Sequence, residues 1–320
     1  VQIADIKRRE ISTLLDQIEH GTFRAADGRL LGGPVMADRV LAALRKLMNW
    51  YAARDDDFIN PIVKGMARTK PKERSRDRVL SDDEIRALWR SLDSECRENS
   101  ESCSAISVWG GLVRLLLLSA QRREEVAQMR HSEVDRGGIW TIPAARYKTG
   151  KPNVVPLSDA ALAIIAAQER IGDGDLVFTT NGEVAFSGFS KAKKRLDQTM
   201  LKYLQASVSR GENAATLPEW RLHDLRRTAK TLMVRAGVRP DITERVLGHA
   251  ISGVEGVYDR HTYTVEKRDA LQKLEALIQA IVHSSSNVVP FADWRSTEAK
   301  APRAIGVVSN PTPDQGSCNG

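Results

Sequence analysis

Residues 115–125 read LLLLSAQRREE. Four consecutive leucines fit a helix that is apolar on every side and therefore sits inside a core. Within a few residues the chain turns polar and then strongly charged. Gly111 to Met129 thus reads as a buried helical run interrupted from Ser119 to Glu125. Cations directly after a buried leucine run are unusual, and Arg122 is the residue to explain. The ordinary explanation is a structural ion pair with Glu125.

Downstream, Ile139–Ile142 and Val154–Leu157 have the composition of two strands, flanking a turn at Lys148-Thr149-Gly150-Lys151. Ala160 to Ile171 reads as a helix and Leu176–Phe178 as a short strand. Ser190 to Leu204 reads as a basic helix, and His223 to Ala236 as another, ended by Gly237. Asp241 to Leu247 is short and helical; Thr264 to Ile281 is a final amphipathic helix. Upstream, Ser81-Asp82-Asp83-Glu84 starts a helix with acids in its first turn. From Ser284 onward Ser, Pro, Gly and Asn recur without period, and residues 284–320 read as a flexible tail.

The first 63 residues carry two amphipathic stripes, one from Ile3 to Ile18 stopped by Gly21, the other from Val40 to Tyr51. They predict a small all-helical domain closing at Asn60-Pro61. The chain of 320 residues has a formal net charge of +7, with 42% hydrophobic and 28% charged residues. That is a folded composition, of roughly two domains by length. No apolar run approaches the ~20 residues of a membrane span. Three scattered cysteines (Cys96, Cys103, Cys318) are too few for a disulfide framework or a zinc site, and a reducing compartment is the simpler reading. The chain starts with Val and has no signal-peptide pattern, which suits a fragment or a processed chain.

Five of the seven excess positive charges lie in residues 64–78, KGMARTKPKERSRDR. The cations are Lys64, Arg68, Lys70, Lys72, Arg74, Arg76 and Arg78, with Gly65 and Pro71 among them and no apolar period. This reads as an interdomain linker: either a solvated connection, or a strap along a phosphate backbone that gains affinity by counterion release.

Besides the 119–125 segment, four others carry chemistry. Tyr147-Lys148-Thr-Gly-Lys151 puts lysines at a turn. His223-Asp-Leu-Arg226 places His and Arg on one helix face. Leu247-Gly-His249 ends a helix, and Gly256-Val-Tyr258-Asp-Arg260 holds a tyrosine. Singly, each has an ordinary reading: an exposed turn lysine, a surface pair, a capping histidine, a half-buried aromatic.

Their order and spacing change that reading. Arg-x-x-Glu after an apolar helix, Lys in a turn, His-x-x-Arg, Leu-Gly-His and a Tyr nine residues later resemble the tyrosine recombinase (phage integrase) family, over residues 3–283. The resemblance implies an α-rich fold of two domains. Residues 1–63 would be a helical (SAM-like) core-type DNA-binding domain and 64–78 the basic linker. Residues 79–283 would be a mainly α catalytic domain with a small antiparallel β-sheet. Two departures stand out. The family usually has Gly where Ala120 stands, and no arm-site-binding domain precedes residue 1, which implies a trimmed chain or a member without one.

The resemblance also implies a chemistry that suits these side chains: phosphoryl transfer on DNA with no metal and no other cofactor. Arg122 and Arg226 would clamp the non-bridging oxygens. Tyr258 would be the nucleophile, forming a 3′-phosphotyrosine, with Tyr263 as its rival. Lys148 would be the general acid, with Lys151 competing. His223 and His249 would hydrogen-bond the phosphate or manage the tyrosine proton, and Glu125 would orient Arg122 or His223. The linker cations and Lys151 would contact DNA. Implied partners are double-stranded attachment sites, a homotetramer on two duplexes with the last helix docked in trans, and DNA-bending or directionality proteins. The implied place is the cytoplasm, at the nucleoid of a bacterial or phage-infected cell, with no membrane. The rival readings are a type IB topoisomerase and a non-catalytic DNA-binding protein of the same fold.

Overall fold

The computed structural model describes residues 2–28, 30–70, 76–98, 107–207, 215–249 and 261–283. The chain forms two compact units, Val1–Asp77 and Arg78–Gly320.

In the first unit, α1 (Arg8–Glu19) and α2 (Pro34–Ala52) pack together. Ile11, Leu15 and Ile18 meet Ala37, Leu41 and Met48 in a small core. The expected all-helical pattern is broken by a short antiparallel hairpin, β1 (Phe23–Arg24) with β2 (Leu30–Leu31). Both strands are exposed, so burial leaves no period in the sequence to announce them. The beginning of the expected linker is folded structure. Met66 completes the helical core, and the Arg68 guanidinium meets Asp16 at 2.5 Å and Glu19 at 3.1 Å. The Arg68 and Thr69 backbone amides both donate to the Asp38 carboxylate. At the far end, Arg78 pairs with Glu84 in the second unit. Lys72 and Arg74 lie outside the described residues, as does the expected tail, 284–320.

The second unit is built around α4 (Val108–Ser119), buried on all sides as the leucine run requires. Its one charged residue, Arg114, pairs with Asp93 and lies over the Trp89 ring. On it pack α3 (Asp82–Glu98), α5 (Arg123–Ala127), α6 (Asp159–Ala166) and α8 (Leu222–Arg235), while α7 (Phe189–Ser207) packs on α3 and α9 (Pro240–Val246) on α8. Strands β3 (Ile139–Ile142) and β4 (Asn153–Pro156) pair antiparallel, with Trp140 opposite Val155. Leu176–Phe178 is not a strand. Leu176 makes a single bridge to Arg130, and Phe178 is buried in a loop.

The last helix is α10 (Thr264–His283). It packs on its own unit, against α3, α8, α9 and β4. Ala270, Leu271, Leu274, Ile278 and Ile281 are buried there, in the core of this unit.

Candidate active site

The leucine helix ends at Ala120, in a left-handed conformation with φ 57°. That reversal turns the chain so that Arg122 caps α5. Glu125, 3% exposed, accepts the Arg122 backbone N–H at 2.9 Å and its guanidinium at 2.7 Å. Burial works against the Arg122 charge, but hydrogen bonds to Glu125 and Tyr147 outweigh it and hold the pKa above its ordinary value. The pairing with Glu125 is real, yet it leaves the guanidinium facing a cavity of about 650 Å³. Lys148 and His223 line the same cavity, with Arg123, Arg146, Lys193, Trp220 and Arg221.

Lys148 and Thr149 form the exposed tip of a turn closed by the Gly150 N–H donating to the Tyr147 carbonyl at 2.9 Å. Lys151 is exposed too but is not among the residues lining that cavity.

His223 and Arg226 share the first turn of α8, which Asp224 caps by accepting the Arg221 N–H. Burial and the charges of Arg227, Arg226 and Arg122 hold the His223 imidazole below its usual pKa, against a smaller pull from Asp224. Arg226 is 5% exposed. It donates to the Ala120 carbonyl at 2.7 Å and the Leu247 carbonyl at 2.5 Å, and lies 3.3 Å from His249 Nε2. Burial and the nearby Arg122 lower its pKa to about 10, which leaves it charged at neutral pH. On the other side of the imidazole, His249 Nδ1 meets the Glu244 carboxylate, and Glu244 also binds Lys230 at 2.5 Å. Burial raises the Glu244 pKa, but Lys230 and His249 together bring it below the ordinary value.

The structure therefore brings Arg122, Lys148 and His223 around one cavity and Arg226 and His249 onto one helix end. Tyr258 lies outside the described residues. Tyr263 is described: its ring packs on the Arg245 guanidinium at 3.8 Å, with φ 51°. No group of His, Cys, Asp and Glu among the described residues is placed to hold a metal ion. No described helix is long and apolar enough to cross a membrane.

Sequence reasoning missed several parts. The carbonyls of Ala120 and Leu247 had no sequence signal. Glu244 stood five residues before His249, one helical turn and a step away. Gln121 ties two segments, donating to the Val246 carbonyl at 2.9 Å and accepting from Asn153 at 3.2 Å. Lys193, half-buried over Trp220 at 3.7 Å and paired with Asp197 at 2.6 Å, adds a cation to the cavity wall.

A model of the phage integrase family matches residues 78–264, which hold all of this geometry. The chain belongs to the phage integrase family. Among curated relatives it is 26% identical over 257 residues to the prophage integrase IntA of Escherichia coli K12, covering 77% of this chain and 57% of that one. It is 24% identical over 293 residues to the prophage integrase IntZ of the same organism, covering 89% and 63%. This family member thus spans about three fifths of the length of those relatives. Among solved structures it resembles a lambda integrase tetramer bound to a Holliday junction, with a TM-score of 0.51 at 17% identity, covering 82% of this chain and 66% of that one. At that identity the likeness is one of fold.

Proposed function

We propose that this integrase-family chain carries out site-specific DNA recombination, integrating or excising a mobile element by cleaving and rejoining strands through a 3′-phosphotyrosine. The observation that carries this is the convergence of Arg122, Lys148 and His223 on one cavity, with Arg226 meeting Leu247 and His249 at the end of α9.

The Tyr258 oxygen attacks the scissile phosphorus, and the bond from phosphorus to the 5′-oxygen breaks with its electron pair going to that oxygen. The Lys148 ammonium supplies the proton that makes it a 5′-hydroxyl, a contribution typically worth ~10²–10⁴-fold in rate. The phenol proton passes to an imidazole; His223, held below its usual pKa, is suited to accept it near neutral pH. Arg122 and Arg226 stabilise the charge building on the non-bridging oxygens, the kind of preorganised interaction that is often the largest catalytic contribution. Rejoining is the reverse with the 5′-hydroxyl of a second strand. One phosphoester replaces another, so neither step needs ATP.

The substrate is a pair of duplex attachment sites held by a homotetramer, and DNA-bending or directionality proteins select the direction. Such a protein works at the nucleoid of a bacterial or phage-infected cell.

The test is a nicked duplex from which the short fragment that begins with the new 5′-hydroxyl diffuses away, trapping the adduct. Y258F should bind the duplex but form no adduct, and peptide mapping of the wild-type adduct should find Tyr258. An adduct on Tyr263, or none at all on any attachment-like site, would overturn the assignment.

A further inference from the structure

Tyr147 stands one residue before the proposed acid and touches the other parts of the site. Its carbonyl closes the turn that displays Lys148. Its ring lies 5.1 Å from the Arg122 guanidinium carbon. Its hydroxyl has one proton to offer, and two carbonyls stand in reach, Leu247 at 3.2 Å and Gly248 at 3.1 Å. The Leu247 carbonyl is the one that also accepts Arg226. The tyrosine is 5% exposed, so water competes little for these bonds. The contact also explains the glycine of Leu-Gly-His. Gly248 has φ 62°, and a Cβ there would sit 1.8 Å from the Tyr147 oxygen and 2.8 Å from its ring carbon Cζ.

We infer that Tyr147 is a positioning residue for strand cleavage: its hydroxyl ties the Lys148 turn to the Leu247–His249 helix end and so holds the acid in register with Arg226 and His249. This rests on the function proposed above. Lys148 sits at an exposed turn tip, and a long side chain there has many rotamers. The acid must nevertheless meet one oxygen within hydrogen-bond reach, and small misplacements cost rate steeply. The backbone beneath it is anchored to the Leu247–Gly248 segment, which also holds Arg226, through the tyrosine hydroxyl.

Y147F keeps the ring and removes the hydroxyl. The probe is a duplex that the full chain selects from a random-sequence pool, nicked to trap the adduct. It is made in two forms, with the ordinary bridging 5′-oxygen and with sulfur in its place. A thiolate leaves without a proton, so the sulfur form bypasses the acid. On the oxygen form, Y147F should slow adduct formation about tenfold with Kd for the duplex within twofold of wild type. On the sulfur form its rate should return to that of wild type. A wild-type rate on oxygen, or equal slowing on both forms, would overturn the inference. K148A on the same pair judges the acid separately: without rescue by sulfur, the assignment of Lys148 fails. Should wild type form no adduct at all, the proposed function fails and thermal unfolding still decides the tether. G248A should lower Tm clearly less in the Y147F chain than in wild type, and equal losses would refute the contact.

Discussion

Ala120 occupies a backbone region that costs a residue with a Cβ about 1–2 kcal/mol. It is also fully buried, and its carbonyl holds Arg226. A120G relieves the conformation but loses a buried methyl and gains about 0.4–1 kcal/mol of unfolded-chain entropy. Its unfolding free energy in urea should therefore stay within about 1 kcal/mol of wild type. A120V adds a β-branch in the same conformation and should lose about 3 kcal/mol or more, with adduct formation falling as Arg226 shifts. R226K keeps the charge but loses the fork that spans two carbonyls, and adduct formation should drop ~10²–10³-fold. His223 gives a pH signature. Its folded pKa lies below the unfolded value near 6.5, so the unfolded chain takes up the proton first as pH falls. Stability from this group is intact above that pH and declines below it until the folded imidazole also protonates. Urea titrations between pH 7 and 5 should show wild type losing more stability than H223Q. The side chains proposed to bear the chemistry were legible through their order and spacing along the chain, since each taken singly has an ordinary reading. The carbonyls that hold them were not, because every residue has one.

The longer helices came through in the sequence wherever one face is apolar, since burial imposes the 3.6-residue period, whereas the short α5 begins inside the segment read as an interruption. The hairpin Phe23–Leu31 did not, because neither of its two-residue strands is buried. Leu176–Phe178 misled for the opposite reason: an apolar triplet is equally at home in a buried loop, and Phe178 needs only the core, not a ladder. The final helix shows the same limit. Its apolar stripe announced a partner without saying which, and the partner is its own unit. L274A should therefore cost about 2–5 kcal/mol in urea unfolding of the monomer, the range for truncating a buried leucine. A chain ending at residue 263 should lose its cooperative unfolding transition altogether, rather than losing only the ability to pair DNA sites.

Across the whole molecule the charge excess is small and concentrated, but concentration alone does not make a DNA contact. Arg68 spends its guanidinium on Asp16 and Glu19, whereas Lys64 is exposed. If the chain binds a duplex as proposed, K64Q should lower the slope of log binding constant against log salt by about 0.9, the loss of one phosphate contact. R68Q should leave that slope unchanged and cost the first unit about 0.5–1 kcal/mol, measured by urea unfolding.

The sequence by itself determined the longer amphipathic helices, the β3–β4 pair, the family and the chemical kinds of the candidate site residues, because periodicity and side-chain chemistry are local properties written in residue order. Only the tertiary structure decided which carbonyls hold Arg226, that Tyr147 reaches across one hundred residues to Leu247, and that α10 is covered by its own unit. Those facts depend on distances between segments remote in the chain, and such distances are set by how the helices pack.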